Sequence, residues 1–439
     1  MIDWKAILRR TLGLILFLVF LIAALAAALL APYFLAALSA NTFLLTVISV
    51  ASFGLLLWIG VKAASAIAML AIAKRSAALL AGTFAALFLA ALYFAILRPS
   101  GSHFPDVIPY ANTRFWTLST GSVLAYSEFD PPAGMQVKPE AIVYLHGGPG
   151  VRQGPFDQEI YGSLAAAGFR VFLFDQAGSG LSAFLPHLRD YTIARSVDDL
   201  EGVRQQIGVD KMILIGHSWG STLAALYMAK YPGHVAKVVF HSPGAIWHVE
   251  QALSSVDYSR TAAGKFSLPA PRLLAALLLR ERNPDAAENL VPQKEAEMLV
   301  VPSFRKTLGT VVCKGDLSKL PPDLIAATAG SENPGVNPYV LQELIPATED
   351  PGGDPHVALR ANRTPAILLY PECNYLPWAD VVDYRHTFSN LRVYYIPRAG
   401  HYIQFEQPEL LKSVILAFLL NQPDPIPAHS GDTDPRISR

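Results

Sequence analysis

The sequence predicts an α/β domain with a doubly wound, mostly parallel sheet, preceded by about three membrane-spanning helices. Two observations carry this prediction. Charged residues make up 16% of the 439 residues, against about 25% in a typical soluble domain, and only seven of them lie within residues 1–97. Downstream, short apolar runs alternate with helical patterns, which is typical of a sheet covered by helices on both faces. The chain therefore has a membrane part and a soluble part.

The overall composition excludes several classes of protein. The 35 Lys and Arg residues balance 35 Asp and Glu residues, and 52% of the chain is hydrophobic. A disordered chain or a basic nucleic-acid binder needs a high charge or a positive excess. The two cysteines, Cys313 and Cys373, are too few for a disulfide framework and too distant for a metal pattern, although one bridge remains open. We expect no cofactor, no metal and no nucleic-acid partner.

The membrane part is predicted to occupy residues 1–98, with spans at about 11–31, 42–73 and 77–97. A helix needs about 20 apolar residues to cross the hydrocarbon core. The first run is longer than the apolar core of a cleaved signal peptide, which has about 7–15 residues, and two further runs follow it. The second run exceeds the length that one span requires. We therefore predict a multi-pass protein of the cell membrane, with its N-terminal helices in the lipid bilayer.

Basic residues predict the orientation of these spans. They lie before the first span and around the end of the second, whereas the loop between the first two spans has none: Lys5, Arg9, Arg10, Lys62, Lys74 and Arg75. Cytoplasmic loops carry an excess of such residues. The N-terminus is therefore predicted to be cytoplasmic and the soluble domain extracytoplasmic. If the second run formed two spans, the domain would face the cytoplasm instead.

The soluble part divides into a linker at 99–114, a domain at 115–424 and a tail at 425–439 that we expect to be disordered. Between about 245 and 363 the pattern is helical and Pro-rich, which predicts a cap inserted over the sheet edge where ligands bind. Apolar runs outside this insertion predict the strands Ala141–Leu145, Arg170–Phe174, Met212–Ile215, Val235–Phe240, Ala366–Tyr370 and Arg392–Ile396.

A nucleophile motif, G-H-S-W-G, occupies residues 216–220. It directly follows the apolar run Met212–Ile215 and precedes a helical pattern that starts near Ser221. This context is that of a nucleophile elbow, in which glycines permit a tight turn that exposes the hydroxyl of the central serine. The N-terminus of the following helix favours developing negative charge. The motif therefore predicts Ser218 as a nucleophile.

A serine hydroxyl needs a general base and donors for the oxyanion. The glycine-rich sequence H-G-G-P-G at residues 146–150 follows the strand 141–145, where such a loop supplies a backbone N–H. We predict an oxyanion hole formed by the N–H groups of Gly148 and Trp219. The base should follow the last strand, and His401 does so in R-A-G-H, unlike the other histidines.

Four motifs in this order resemble the α/β-hydrolase fold and, more narrowly, the proline iminopeptidase group of serine peptidases. They are H-G-G-P-G, D-Q-A-G-S-G-L-S at 175–182, G-H-S-W-G-S-T and A-G-H. The resemblance covers about residues 120–245 and 363–420. It implies a Ser–Asp–His triad in which Ser218 and His401 are the nucleophile and base. Two positions depart from the family: Ala177 replaces an arginine, so that a salt bridge is absent, and Asn374 stands at the triad aspartate.

The third catalytic position therefore has two candidates. Asn374 can hold an imidazole in place but cannot stabilise its cation by charge, and the equivalent change in serine proteases costs about 10⁴ in turnover. Glu372 is two residues away and shares a face with Asn374 if the strand continues that far. Asp380 and Asp383 are less favoured because the following helix should carry them away.

The leading hypothesis is a membrane-anchored serine hydrolase that cleaves amide or ester bonds through an acyl-enzyme. The resemblance implies an aminopeptidase of proline iminopeptidase type that acts on a small peptide. A second hypothesis keeps the chemistry but takes a lipid or other ester as substrate, because fold does not decide substrate. A third is a weakly active binding module with a degenerate triad.

Overall fold

The computed structural model describes residues 3–70, 74–101, 106–247, 269–321, 335–347 and 352–437. The chain divides into two compact units. One comprises Met1–Ser102 together with Pro269–Glu295, and the other comprises His103–Leu268 together with Ala296–Arg439. The segment 269–295 therefore belongs with the N-terminal helices, although it lies within the insertion that the sequence predicts to be a cap.

The first unit contains three helices that are long and apolar enough to cross a membrane. They are α1 (Trp4–Leu35), α2 (Thr42–Ile67) and α3 (Lys74–Leu92), and α3 continues as a π-helical turn, Tyr93–Leu97. The helices differ in length from the predicted spans, since α1 extends past both ends of 11–31 and α2 ends before residue 73. α1 starts earlier because the Asp3 side chain caps its first turn, and it continues through Pro32. α2 ends at Ile67, ahead of a turn in which Met69 has φ +54°.

α2 packs against both other long helices. The Ser49 hydroxyl donates to the carbonyl of Ala28 at 2.6 Å, which satisfies a polar group inside an apolar interface. The rings of Phe53 and Phe88 stack with centroids 4.5 Å apart. Gly60 lies so close to Phe20 that a side chain there would overlap it. Small residues and stacked rings thus bring the helices together.

The second unit is built on an eight-stranded sheet with the order β1-β2-β4-β3-β5-β6-β7-β8. β2 is antiparallel to both of its neighbours, β1 and β4. The six strands β3 to β8 are parallel to one another. This confirms the predicted fold class. The strands are Thr113–Thr117, Val123–Phe129, Ala141–Leu145, Val171–Phe174, Met212–His217, Val235–His241, Ala366–Pro371 and Leu391–Ile396.

Helices cover both faces of this sheet or connect its strands. A buried cluster that includes Tyr144, Ile213 and Ile215 packs against Tyr161 and Phe418 from two of them. After α3 the helices in chain order are α4 (Pro155–Gly162), α5 (Ile193–Ile207), α6 (Trp219–Lys230), α7 (Pro271–Arg280), α8 (Pro284–Leu290), α9 (Gln293–Thr307), α10 (Pro338–Ala347), α11 (Pro355–Ala361), α12 (Trp378–Thr387), α13 (Ile403–Glu406) and α14 (Pro408–Leu419), of which α7 and α8 belong to the first unit. Parallel strands covered in this way bring the carboxyl ends of β3, β5, β7 and β8 to one edge of the sheet.

The C-terminal tail corrects one expectation. Residues 425–437 are placed along the second unit, whereas the sequence predicts disorder. The N–H of His429 donates to the carbonyl of Val393 in β8 at 2.7 Å, and the Trp378 indole donates to the carbonyl of Asp432 at 2.8 Å. β8 is an edge strand, so its unpaired backbone groups are available to this extended segment.

Candidate active site

Ser218 connects β5 to α6 in a strained conformation. Its φ is +53°, a region that non-glycine residues enter at a cost of about 1–3 kcal/mol. Its N–H donates to the carbonyl of His241 at 2.9 Å. A side chain at Gly216 would overlap the Gly220 carbonyl, and one at Gly220 would overlap the Leu145 carbonyl. Both flanking glycines of G-H-S-W-G are therefore required by space, as expected of a nucleophile elbow.

The structure brings together two of the predicted residues, Asn374 and His401, at the ends of β7 and β8. The Oδ1 atom of Asn374 lies 2.9 Å from Nδ1 of His401, and both side chains are buried. Since an amide oxygen only accepts hydrogen bonds, Nδ1 carries the proton. The Nε2 atom of the neutral ring then keeps its lone pair. This is the tautomer that can accept a proton from a hydroxyl.

The charge state of this histidine is set by its surroundings. Burial, followed by repulsion from His217, places the pKa of His401 well below its usual value. Burial lowers the pKa of His217 to about 4 and places the pKa of His241 well below its usual value. The rings of His217 and His401 have centroids 4.9 Å apart, and Nε2 of His217 lies 3.2 Å from the carbonyl oxygen of His401. The buried imidazoles are therefore neutral at physiological pH.

The alternative acids are directed elsewhere. Glu372 uses its Oε2 atom to accept the N–H of Arg398 at 2.8 Å. Asp383 lies 3.0 Å from Nε2 of His356 on α11. Asp380 is buried in α12, and its Oδ2 atom has no hydrogen-bond partner within the part of the chain that the structure describes. The carboxamide of Asn374 is thus the group that faces the ring of His401.

The glycine-rich loop after β3 approaches the elbow closely. A Cβ atom at Gly147 would come within 3.2 Å of Cβ of Ser218. His146 Nε2 accepts the N–H of Gln176 at 2.8 Å, so its Nδ1 carries the proton and donates to the carbonyl of Gly147 at 2.9 Å. In a trans peptide the C=O and N–H point in opposite directions. By holding the Gly147 carbonyl, His146 therefore fixes the direction of the Gly148 N–H.

Gln176 links this loop to Trp219, the residue after Ser218. Its side-chain oxygen accepts the indole N–H of Trp219 at 3.0 Å, and its side-chain nitrogen donates to the carbonyl of His146 at 3.0 Å. Trp219 is the first residue of α6, where backbone N–H groups have no partner inside the helix. Sequence reasoning assigned no role to His146 or Gln176. The only signal was their position in H-G-G-P-G and D-Q-A-G, because the contacts that define them are tertiary.

The Cys313–Cys373 disulfide and the Glu406 carboxylate hold the loops that carry Asn374 and His401. Cys313 and Cys373 are bonded across 60 residues. The Glu406 carboxylate accepts the N–H of Cys313 at 3.0 Å and the N–H of Gly400 at 2.6 Å. Cys373, next to Asn374, and Gly400, next to His401, are thereby both connected to the segment around Cys313. The sequence had left the disulfide between the two cysteines open.

A family model and two solved structures identify the architecture. A family model described as the alpha/beta hydrolase fold matches residues 140–329. The structure also resembles VinJ, with a TM-score of 0.50, 21% identity, and coverage of 72% of this chain and 100% of VinJ. A hydrolase from Pseudomonas aeruginosa PA01 gives a TM-score of 0.51 at 18% identity, covering 71% of this chain and 99% of the hydrolase. The soluble part has the α/β-hydrolase fold.

Sequence relatives of the α/β-hydrolase domain are proline iminopeptidases. The enzyme of Heyndrickxia coagulans is 34% identical over 136 residues, which is 30% of this chain and 44% of the relative. That of Saccharolobus solfataricus is 38% identical over 120 residues, 27% of this chain and 35% of the relative. The matches thus span less than half of each relative. The resemblance stated from the motifs is confirmed at this level, as distant homology over about 30% of the chain.

The arrangement can support nucleophilic catalysis by a hydroxyl. It offers a strained serine, a neutral imidazole with a defined tautomer, and backbone N–H groups at a helix N-terminus and a glycine-rich loop. Within the described ranges, no group of three or more His, Cys, Asp or Glu side chains is placed to hold a metal ion.

Proposed function

We propose that this protein is a membrane-anchored serine hydrolase that cleaves amide or ester bonds through an acyl-enzyme. The observation that carries the proposal is the 2.9 Å contact between Asn374 Oδ1 and His401 Nδ1, which leaves Nε2 of a buried, neutral ring free to act as a base. Ser218, held at φ +53° at the head of α6, would be the nucleophile.

In the proposed reaction, the Ser218 hydroxyl attacks the substrate carbonyl while His401 Nε2 accepts its proton. The N–H groups of Gly148 and Trp219 stabilise the oxyanion, and such donors are each worth about 10²–10³ in turnover. The imidazolium then protonates the leaving group, and water releases the acyl group by the reverse sequence of steps. Asn374 orients the ring throughout but places no negative charge beside the imidazolium. We therefore expect slow turnover.

For the substrate we propose a small peptide with a free N-terminus, cleaved in the manner of a proline iminopeptidase. The names and identities of the distant relatives support this assignment. They match only part of their length, so a lipid or other ester stays a second candidate. A weakly active binding module is the third, and the amide at residue 374 favours it.

For the location we propose a multi-pass cell-membrane protein whose N-terminus is cytoplasmic and whose hydrolase domain is extracytoplasmic. Three helices of sufficient length and apolarity support the anchoring. The Cys313–Cys373 bond supports the outer location, because disulfides persist mainly in oxidising compartments.

Active-site labelling tests the proposed chemistry. A fluorophosphonate should label the wild-type protein but neither Ser218→Ala nor His401→Ala, with Ser221→Ala as a serine control on the same helix. Absence of labelling in the wild type would favour the binding module. Hydrolysis of a prolyl arylamide in preference to a short-chain ester supports the peptidase, and the opposite preference supports the esterase.

A further inference from the structure

The chain returns to the first unit after six of the eight strands of the sheet. Pro269–Glu295, which contains α7 and α8, is compact with the three long helices rather than with the hydrolase domain. Ala36 and Ala286 are buried in one apolar cluster, against which Leu279 packs. This segment is therefore a part of the anchoring unit that is distant in sequence.

Its polar side chains satisfy backbone groups at the ends of the long helices. The Asn283 side chain donates to the carbonyl of Ala36 at 2.9 Å, and that of Asn289 donates to the carbonyl of Ala40 at 3.0 Å. Both acceptors lie in the connection between α1 and α2, outside the regular hydrogen bonding of the two helices. Such carbonyls are costly to leave unpaired near hydrocarbon, so these donors suit the edge of a bilayer.

Arg272 makes the corresponding contacts at the end of α3. It donates to the carbonyls of Ile96 at 2.6 Å and Leu97 at 3.1 Å. Its Nε atom lies 2.7 Å from Glu295, and this ion pair is largely buried. The pairing lowers the pKa of Glu295 despite its burial, so the carboxylate remains charged. One side chain thus joins the start of the segment, its end and the last turn of α3.

These contacts place the segment at one membrane face. The end of α1 and the end of α3 are two crossings apart, so they emerge on the same side if all three helices span the bilayer. Leu278 on α7 is 53% exposed, and the Arg282 guanidinium lies 4.6 Å from the ring centre of Tyr33. Aromatic rings and long basic side chains at span ends are typical of the headgroup layer.

We propose that α7 and α8 form a second attachment to the membrane, seated in the headgroup layer at the ends of α1 and α3, with the exposed Leu278 of α7 against lipid. This rests on the proposed anchoring. The hydrolase domain is then held by two separate points of the chain, residue 102 and the segment 269–295, rather than by one flexible tether.

The test cuts the chain between the three long helices and the hydrolase domain. A site for a specific protease is inserted between Ser102 and Asp106 of the full chain, the membranes are treated with protease, and the C-terminal fragment is followed by flotation on a density gradient. We expect the cut fragment to float with the membranes. If the uncut chain floats and the cut fragment does not, the second attachment is overturned while the anchoring stands. If the uncut chain fails to float, both are overturned.

A pair of exposed leucines tests the contact with lipid. Leu278→Asp should reduce flotation of the cut fragment several-fold, whereas Leu341→Asp, at a leucine 43% exposed on α10, should not. Because both native cysteines are bonded to each other, Leu278→Cys and Leu341→Cys can each carry a single environment-sensitive dye. Spin-labelled lipids should quench the dye at residue 278 only. Equal flotation of the two Asp variants, or equal quenching at both positions, would contradict the proposed contact of Leu278 with lipid.

Discussion

The contact between Asn374 and His401 sets the tautomer of the proposed base without adding negative charge to it. The amide oxygen also accepts the N–H of Leu376 at 3.3 Å, and the Asn374 backbone carbonyl accepts a guanidinium N–H from Arg436 at 3.1 Å. The side-chain nitrogen is buried without a hydrogen-bond partner among the described residues. Asn374 is therefore held in a position that orients the ring of His401, but it provides no charge to stabilise the imidazolium.

Restoring a carboxylate at this position should increase activity. We expect Asn374→Asp to raise turnover by up to about 10⁴, because the charge stabilises the imidazolium in the transition state. The carboxylate should also raise the pKa of His401 from its lowered value, so the acidic limb of the kcat/KM profile should move to higher pH. Hydrolysis measured against pH checks both changes. Unchanged turnover would point to Glu372, for which Glu372→Gln is the matched variant.

Gln176 is predicted to position the oxyanion donors. Gln176→Leu removes both of its side-chain bonds, to Trp219 and to His146, and should lower kcat about tenfold with little change in KM, since the donors act mainly in the transition state. Gln158→Leu, at a buried glutamine bonded to Ser127, is the control for general destabilisation. Equal losses of kcat in the two variants would contradict a positioning role.

Asp380 should make stability depend on pH. Burial, followed by repulsion from Asp383, raises the pKa of Asp380 to about 7. The folded state then binds more protons than the unfolded state between the ordinary pKa and about 7, so stability falls as pH rises through that window. Asp380→Asn should be more stable than the wild type by about 4 kcal/mol near pH 8, and most of this difference should disappear near pH 4. Thermal unfolding at both pH values, with exposed Asp210→Asn as control, measures this; a pH-independent difference would refute it.

At the scale of elements, the strands that could be predicted are those made mostly of buried apolar residues. β3 to β8 read as near-continuous apolar runs, and each was predicted within two residues at either end. β1 and β2 were not predicted, because polar residues such as Arg114 and Glu128 alternate with apolar ones and pair across the two strands at 3.0 Å. The helical, Pro-rich pattern between about 245 and 363 indicated helices where α7 and α8 lie, but such a pattern does not reveal what a helix packs against. Their membership of the first unit therefore could not be predicted.

The disulfide should stabilise the elements that carry the site. Changing Cys313 and Cys373 together to serine should lower the free energy of unfolding by about 4 kcal/mol, because the bond closes a 60-residue loop in the unfolded chain. Denaturant titration checks this value. A reductant should lower the stability of the wild type but not that of the double variant, and a wild type insensitive to reduction would contradict the prediction.

For the whole molecule, the number of crossings determines which side the hydrolase domain occupies. Alkaline phosphatase fused after Arg439 should be active, because it is folded only outside the cytoplasm, and green fluorescent protein at the same point should be dark. Fusions placed directly after Leu70 should give the opposite result, since the basic residues Lys62 and Arg75 on either side favour the cytoplasm. The same outcome at both positions would contradict three crossings.

The return of residues 269–295 to the first unit also fixes an order of biosynthesis. β1 to β6 leave the ribosome before α7, while β7 and β8 leave after it. The carbonyl of Ala36 cannot receive its bond from Asn283 until roughly two-thirds of the chain has been translated. Domains usually fold as units in the order of their synthesis. Here the contacts of α7 and α8 with the three long helices can form only after β1 to β6 have been synthesised.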